Sequence, residues 1–214
     1  VQAKVDWKAL AAKPEDWFET DEGHRVAVNV MSHQSTLGDW PKAVDTVGTY
    51  YEGDRDQIKG TWDNGATVGE VRFLARAFRV TGDEDCRRAV VRSIDHILNA
   101  QYPTGGWPQF DPPGTHYHRH ITFNDDTMVH LLELLREVGG SETFAFVDDA
   151  RRAKARAAFD AGIGCILRCQ IVVDGKKPAW CAQHDEKTLA PRPGRPFEPV
   201  SLSGSESAGI LLLL

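Results

Sequence analysis

Apolar residues recur along this chain at helical spacing, in blocks separated by long polar loops. Val71, Leu74, Ala75 and Phe78 follow i, i+3, i+4, i+7 and predict an amphipathic helix. Val90, Ile94, Ile97 and Leu98 form a second stripe after the turn Thr81-Gly82-Asp83. From Met128 through Val129, Leu131, Leu132, Leu134 and Leu135 to Val138, apolar positions cover most of the circumference, which predicts a helix buried on most sides. Phe159, Ile163, Ile166 and Leu167 give another stripe, and the charged run Arg151 to Arg156 ahead of it reads as a solvated helix face. A helical segment is expected around Val26 to Met31. A further helix is expected behind Ser203-x-x-Glu206, which has capping-box spacing. The one strand signal is Ile171-Val172-Val173 before Asp174-Gly175, a short hairpin arm. The pattern is all-α. Residues 1–30 are expected to form an N-terminal helical segment and residues 31–214 the main domain. Val1 stands where an initiator Met would, so a trimmed start is expected. The run Ala208 to Leu214 stops with no cap, so the chain is expected to be truncated at the C-terminus, inside a helix.

The loops between these helices repeat. Gln34-Ser35-Thr36-Leu37-Gly38-Asp39-Trp40-Pro41-Lys42 matches Gln101-Tyr102-Pro103-Thr104-Gly105-Gly106-Trp107-Pro108-Gln109, and a looser copy runs from Gln170 to Trp180. The tryptophans recur at intervals of about seventy residues, the mark of a repeat architecture. Each loop leads to a helix start: Thr61-Trp62-Asp63-Asn64-Gly65-Ala66-Thr67, then Thr122-Phe123-Asn124-Asp125-Asp126-Thr127-Met128, then Ser201 to Ser207. The unit is helix, long Trp-bearing loop, helix, short turn. Such hairpins packed side by side predict an α/α toroid with its loops gathered at one end.

Net charge changes the picture by exclusion. At −6, with no basic stripe, the chain is not expected to bind nucleic acid. No apolar stretch is long enough to span a membrane. Cys86, Cys165, Cys169 and Cys181 show neither a CxxC motif nor a disulfide framework, and read as small buried residues.

If the loops converge on one mouth, Asp63 and Asp125 fall at equivalent helix starts, with Asn64 and Asn124 beside them. Three readings stay open: oxygen donors for a hard cation such as calcium, a general acid and base for glycoside hydrolysis, or ordinary helix caps. Arg192 and Arg195 sit in a proline-rich loop with little freedom to wander. They suit either a salt bridge or contact with a substrate carboxylate. Trp107 offers a sugar-stacking face or a structural plug. His116, His118 and His120 alternate without a second ligand cluster, which argues against zinc. His184-Asp185 reads as loop scaffolding.

Taken together, SHQSTLGDWPK, WDNGAT, NAQYPTGGWPQ, ITFNDDTMVHLLELL, WCAQHD and RPFEPVSLSGSES resemble the family 10 pectate lyases, pectic acid lyases with an α/α toroid, from about Met31 onward. One departure is Gly38-Asp39-Trp40, where the family more often has Gly-Gly-Trp. The resemblance implies calcium-assisted anti β-elimination on polygalacturonate. It makes Asp63 and Asp125 calcium ligands with Asp126 in support, and Arg195 the base that takes the C5 proton. It makes Lys42, Asn64, Trp107 and Arg192 substrate contacts. A secreted or periplasmic monomer is expected, with no nucleic-acid or membrane partner. The alternatives are a uronate-oligomer binding protein without turnover and a hydrolase using the two aspartates. Triterpene cyclases share the Gln and Trp repeats, but the polar, His-rich loops argue against their apolar cavity.

Overall fold

The computed structural model describes residues 5–214. Its seven helices are α1 (Trp7–Ala11), α2 (Asp21–Ser32), α3 (Val68–Thr81), α4 (Glu84–Asn99), α5 (Thr127–Gly140), α6 (Asp149–Cys169) and α7 (Gly204–Leu213). The expected stripes are the buried faces. Val71 and Leu74 of α3 and Ile94 and Ile97 of α4 are in the core, and α5 buries Met128, Leu131, Leu132, Leu134, Leu135 and Val138. Helix α3 packs on α4 as one hairpin and α5 on α6 as another, with α3 against α5 and α4 against α6. The first hairpin turns at Gly82, whose left-handed φ of +70° needs no side chain, and Asp83 then caps α4 by accepting from the Asp85 N–H at 2.8 Å. A 3-10 turn at Glu15–Glu19 drives Trp17 and Phe18 against Phe73 of α3.

The repeated loop residues are the ties of this architecture. The indole N–H groups of Trp40, Trp107 and Trp180 donate to the carbonyls of Val30, Ile97 and Ile166 in the preceding helices, at 2.6, 2.8 and 2.7 Å. Gln34 donates to Gly38 and Ala89, and Gln101 to Gly105 and Ala158. Each glutamine thus fastens its own loop to the returning helix of the next repeat. The backbone N–H groups of Thr61, Thr122 and Ser203 donate to the carbonyls of Trp40, Trp107 and Trp180. Every loop is therefore laced to the helix start that follows it. Trp107 is 0% exposed, so the sugar-stacking role is corrected: its ring is a structural plug.

Extended structure is scarce. Two-residue strands β1 (Ile121–Thr122) and β2 (Gln183–His184) pair antiparallel and bind the second loop to the third. The hairpin arm appears as a Val173–Lys176 bridge, with Asp174 and Gly175 both at positive φ as a tight two-residue turn requires. All four cysteines are buried and free. The departure at Asp39 has its own setting. The carboxylate is buried, accepts from Ser35 Oγ, and lies 3.6 Å from His96 Nε2, while a Cβ at Gly60 would strike it.

Candidate functional site

The two acidic helix starts are not caps. In each, a 3-10 turn precedes the helix, and neither Thr67 nor Asp126, the residues before α3 and α5, makes a side-chain cap hydrogen bond. The backbone instead enters the left-handed region, at Asn64 (φ 55°) and Gly65 (φ 74°) in the first and at Asp125 (φ 54°) and Asp126 (φ 56°) in the second. This matched pair of kinks resets the alignment of the repeats. Asn64 corresponds to Asp125, and Asp63 to Asn124, so Asp63 and Asp125 are offset by one residue rather than equivalent. Non-glycine residues held at positive φ carry strain, and such strain collects at functional sites. The Ser203–Glu206 capping box is also not formed: the two side chains bond each other, and the α7 backbone gains no side-chain cap.

These kinks bring the acids together. Asp63 is 1% exposed; one of its oxygens meets Lys42 Nζ, and the other, Oδ1, is buried with no partner among the described residues. Asp125 lies close enough to Asp63 for the two carboxylates to repel. Partial burial first, then the negative charges of Asp63 and Glu206, push its carboxyl above the usual aspartate range, while Lys42 opposes the shift. Asp126 is raised in the same direction by burial and by Glu206 and Glu133, against the pull of His130, and its Oδ1 is likewise buried and unpartnered. Carboxylates that repel one another and keep buried oxygens without donors are groups that could hold a hard cation through oxygen ligands.

Arg195 stands at the edge of this cluster. Its guanidinium is 53% exposed, rests 4.8 Å from the centre of the Phe197 ring, and donates through Nε to Glu198 Oε1 at 2.9 Å. That bond raises its proton affinity further, with smaller contributions from the charges of Tyr117 and Asp125. Arg192 is held elsewhere. It donates to Asp185 Oδ2 at 2.7 and 3.0 Å while the backbone N–H groups of Lys187 and Thr188 donate to Oδ1, and together these hold the Asp185 carboxyl well below its ordinary range. Asn64 is exposed beside Asp63.

The histidine trio splits. Burial, with the nearby charges of His116 and Lys42, lowers the proton affinity of His118, which faces Lys42 and Asp63; His120 Nδ1 instead meets Glu186 Oε2 at 3.2 Å. His120, Asp185 and Glu186 bring ligand atoms within 4.8 Å of one another, but Arg192, Arg119 and the backbone donors already satisfy them. His184 donates or accepts within its own loop, at Leu189 and Cys181, as scaffolding.

Beside Lys42 runs a groove of about 670 Å³ whose wall includes Lys59, Phe110, Tyr117 and His118. The Tyr117 and Phe110 rings lie 3.9 and 5.0 Å from the His118 ring. The long loop shows Phe110, Tyr117 and His118 as flat faces and a donor in the sequence, whereas Lys59 and Glu206 were not legible as part of a site. The three loop aromatics carry no repeat signature, and Glu206 reads as a cap.

The family model for pectic acid lyase matches residues 34–214. Among solved structures, the chain is similar to the family 10 polysaccharide lyase from Cellvibrio cellulosa, at 33% identity and a TM-score of 0.83, over 99% of this chain and 66% of that one. It is also similar to an aspartate-to-alanine mutant of that lyase in complex with trigalacturonic acid, at 33% identity and a TM-score of 0.81, over 100% of this chain and 67% of that one. The chain thus spans about two thirds of the length of these relatives and shares their all-α helical toroid fold. A comparison with curated proteins found no match. No helix among the described residues is long and apolar enough to cross a membrane.

Proposed function

This chain belongs to the pectic acid lyase family, and from that premise we propose that it is a pectate lyase acting on polygalacturonate at the cluster of Lys42, Asp63, Asp125 and Arg195. The observation that carries the reading is the buried, unpartnered Oδ1 of Asp63 facing a second carboxylate whose proton affinity is already raised. That donor set fits calcium: Asp63 and Asp125 would hold the ion, with Asp126 in support. Bound there, calcium supplies Lewis-acid withdrawal of charge from the uronate carboxylate, which acidifies the proton on C5.

The chain's own residues do the rest. Lys42 and Asn64 flank the acids and orient the uronate, and Arg192 offers a further cationic contact at the third loop. Arg195 takes the C5 proton. The C5 electron pair forms the C4–C5 double bond, the C4–O bond breaks, and the departing oxygen takes a proton from water. Arginine is a poor base, with a pKa above ~12, and Glu198 strengthens its hold on its protons in the resting arrangement. The guanidinium must therefore leave Glu198 before it acts, and a cation-bound uronate next to it favours the deprotonated form. The polymeric substrate implies action outside the cytoplasm.

The test is absorbance of the unsaturated product from polygalacturonate, with calcium and then with excess chelator. The signal should rise, vanish with chelator, and fall by at least about a thousandfold in Arg195→Ala, the scale of losing a general base together with its electrostatic role. Reducing ends without the unsaturated chromophore would replace this reading with hydrolysis by the two aspartates.

A further inference from the structure

A second cavity, of about 470 Å³, also lined by Lys42, is bounded by Trp7, Val44, Asn64, Gly65 and Glu70. The volume is in the range of small-molecule sites. Glu70 stands in the first turn of α3 and is only 4% exposed. Thr46 Oγ1 donates to its Oε1 at 3.3 Å, and its Oε2 is buried with no partner among the described residues. Burial pushes the carboxyl up to about 7.

The two compartments share Lys42 as a lining residue. The groove carries both signs of charge, with Lys59 among Asp39, Asp56 and Asp111. Among the described residues the one cationic side chain lining the cavity is Lys42, which also meets Asp63. A uronate carboxylate placed there would lie beside the buried Glu70 carboxyl, and next to a buried group like charges interact more strongly than in water. An esterified ring carries no such charge, and its apolar surface suits the Trp7 and Val44 walls.

We propose that this cavity is a subsite for a galacturonate ring whose carboxyl is uncharged, as in a methyl ester, with Glu70 as the residue that sets the preference. The inference rests on the pectate-lyase reading, since it takes the ring next to the acidic cluster to belong to a uronate chain. Trigalacturonate and its fully methyl-esterified counterpart, titrated calorimetrically into the calcium-free chain well above neutral pH, provide the test. The ester should bind more tightly than the acid, in part because the metal-free acidic cluster also repels the acid, and Glu70→Gln, which keeps the bond to Thr46, should lower the ester-to-acid ratio about tenfold. Val44→Trp, which narrows the cavity mouth without touching Glu70, should weaken the ester about tenfold and spare the acid. It also keeps the test readable if Glu70→Gln folds poorly. A ratio unchanged by both substitutions, or no binding of either sugar, overturns the subsite. Because binding needs no turnover, absence of the unsaturated product would count against the lyase reading and leave this result standing.

Discussion

Asp125 is a residue whose placement costs the fold stability. Its carboxyl is raised by burial and by the charges of Asp63 and Glu206, so the folded chain holds the proton more firmly than the unfolded one. The stability linked to it is full below its ordinary pKa and is lost as pH rises through the raised value. At neutral pH the ionised group is therefore a liability in the metal-free protein. Asp125→Asn should raise Tm by on the order of a degree or two in chelator, a small shift because the group is substantially exposed. The same change should abolish the calcium-dependent lyase signal. A lower Tm in chelator would mean that Asp125 is a structural cap after all. The sequence brought both acids into view but misaligned them by one residue. The motifs WDNGAT and FNDDTM look superimposable on their first Asp, whereas the left-handed kinks pair Asn64 with Asp125, and a positive φ at Asn or Asp leaves no mark in composition.

At the scale of elements, the Trp-bearing loops work as fasteners. Each indole spans from its loop to the carbonyl of the helix before it, and each is fully or almost fully buried. Trp107→Phe keeps most of the apolar volume but leaves the Ile97 carbonyl without its donor, a loss of about 1–3 kcal/mol. Trp107→Ala adds a cavity against Gly162 and Leu132, for about 3–5 kcal/mol. Denaturant titration reads both losses, and KM for polygalacturonate should be unchanged in Trp107→Phe, since a buried plug touches no sugar. A raised KM with unchanged stability would restore the stacking role. This level was the most legible in the sequence, because helical periodicity and the Gln-to-Trp repeat are enforced locally by burial and by a bonding pattern used three times. The assembly of Phe110, Tyr117 and His118 into one wall was not legible. It depends on the path of one long loop, which β1 and β2 pin by a pairing of distant residues that no periodicity announces.

For the whole molecule, the question is what a cation at the mouth does to the balance of helices and loops. Asp63 and Asp125 open different hairpins, and Glu206 opens α7, so the acidic cluster joins three helix starts whose mutual repulsion the fold otherwise tolerates with a single ammonium, Lys42. A ligand that binds only the folded state stabilises it by about 2.7 kcal/mol at a hundredfold excess over Kd. For a chain of this size each kcal/mol moves Tm by about 2–4 °C, so saturating calcium should raise Tm by roughly 5–11 °C over the value in chelator. Asp63→Asn removes one ligand and the partner of Lys42 together, and should erase that rise while leaving a cooperative transition in chelator. Magnesium is the informative control. It dehydrates reluctantly and demands octahedral geometry, so two acids on separate, strained turns should hold it less well than the more permissive calcium. Equal shifts with both ions would reduce the site to general screening of an acidic mouth. A shift specific to calcium, lost in Asp63→Asn, would tie the metal, the repeat architecture and the proposed chemistry to the same pair of kinked turns.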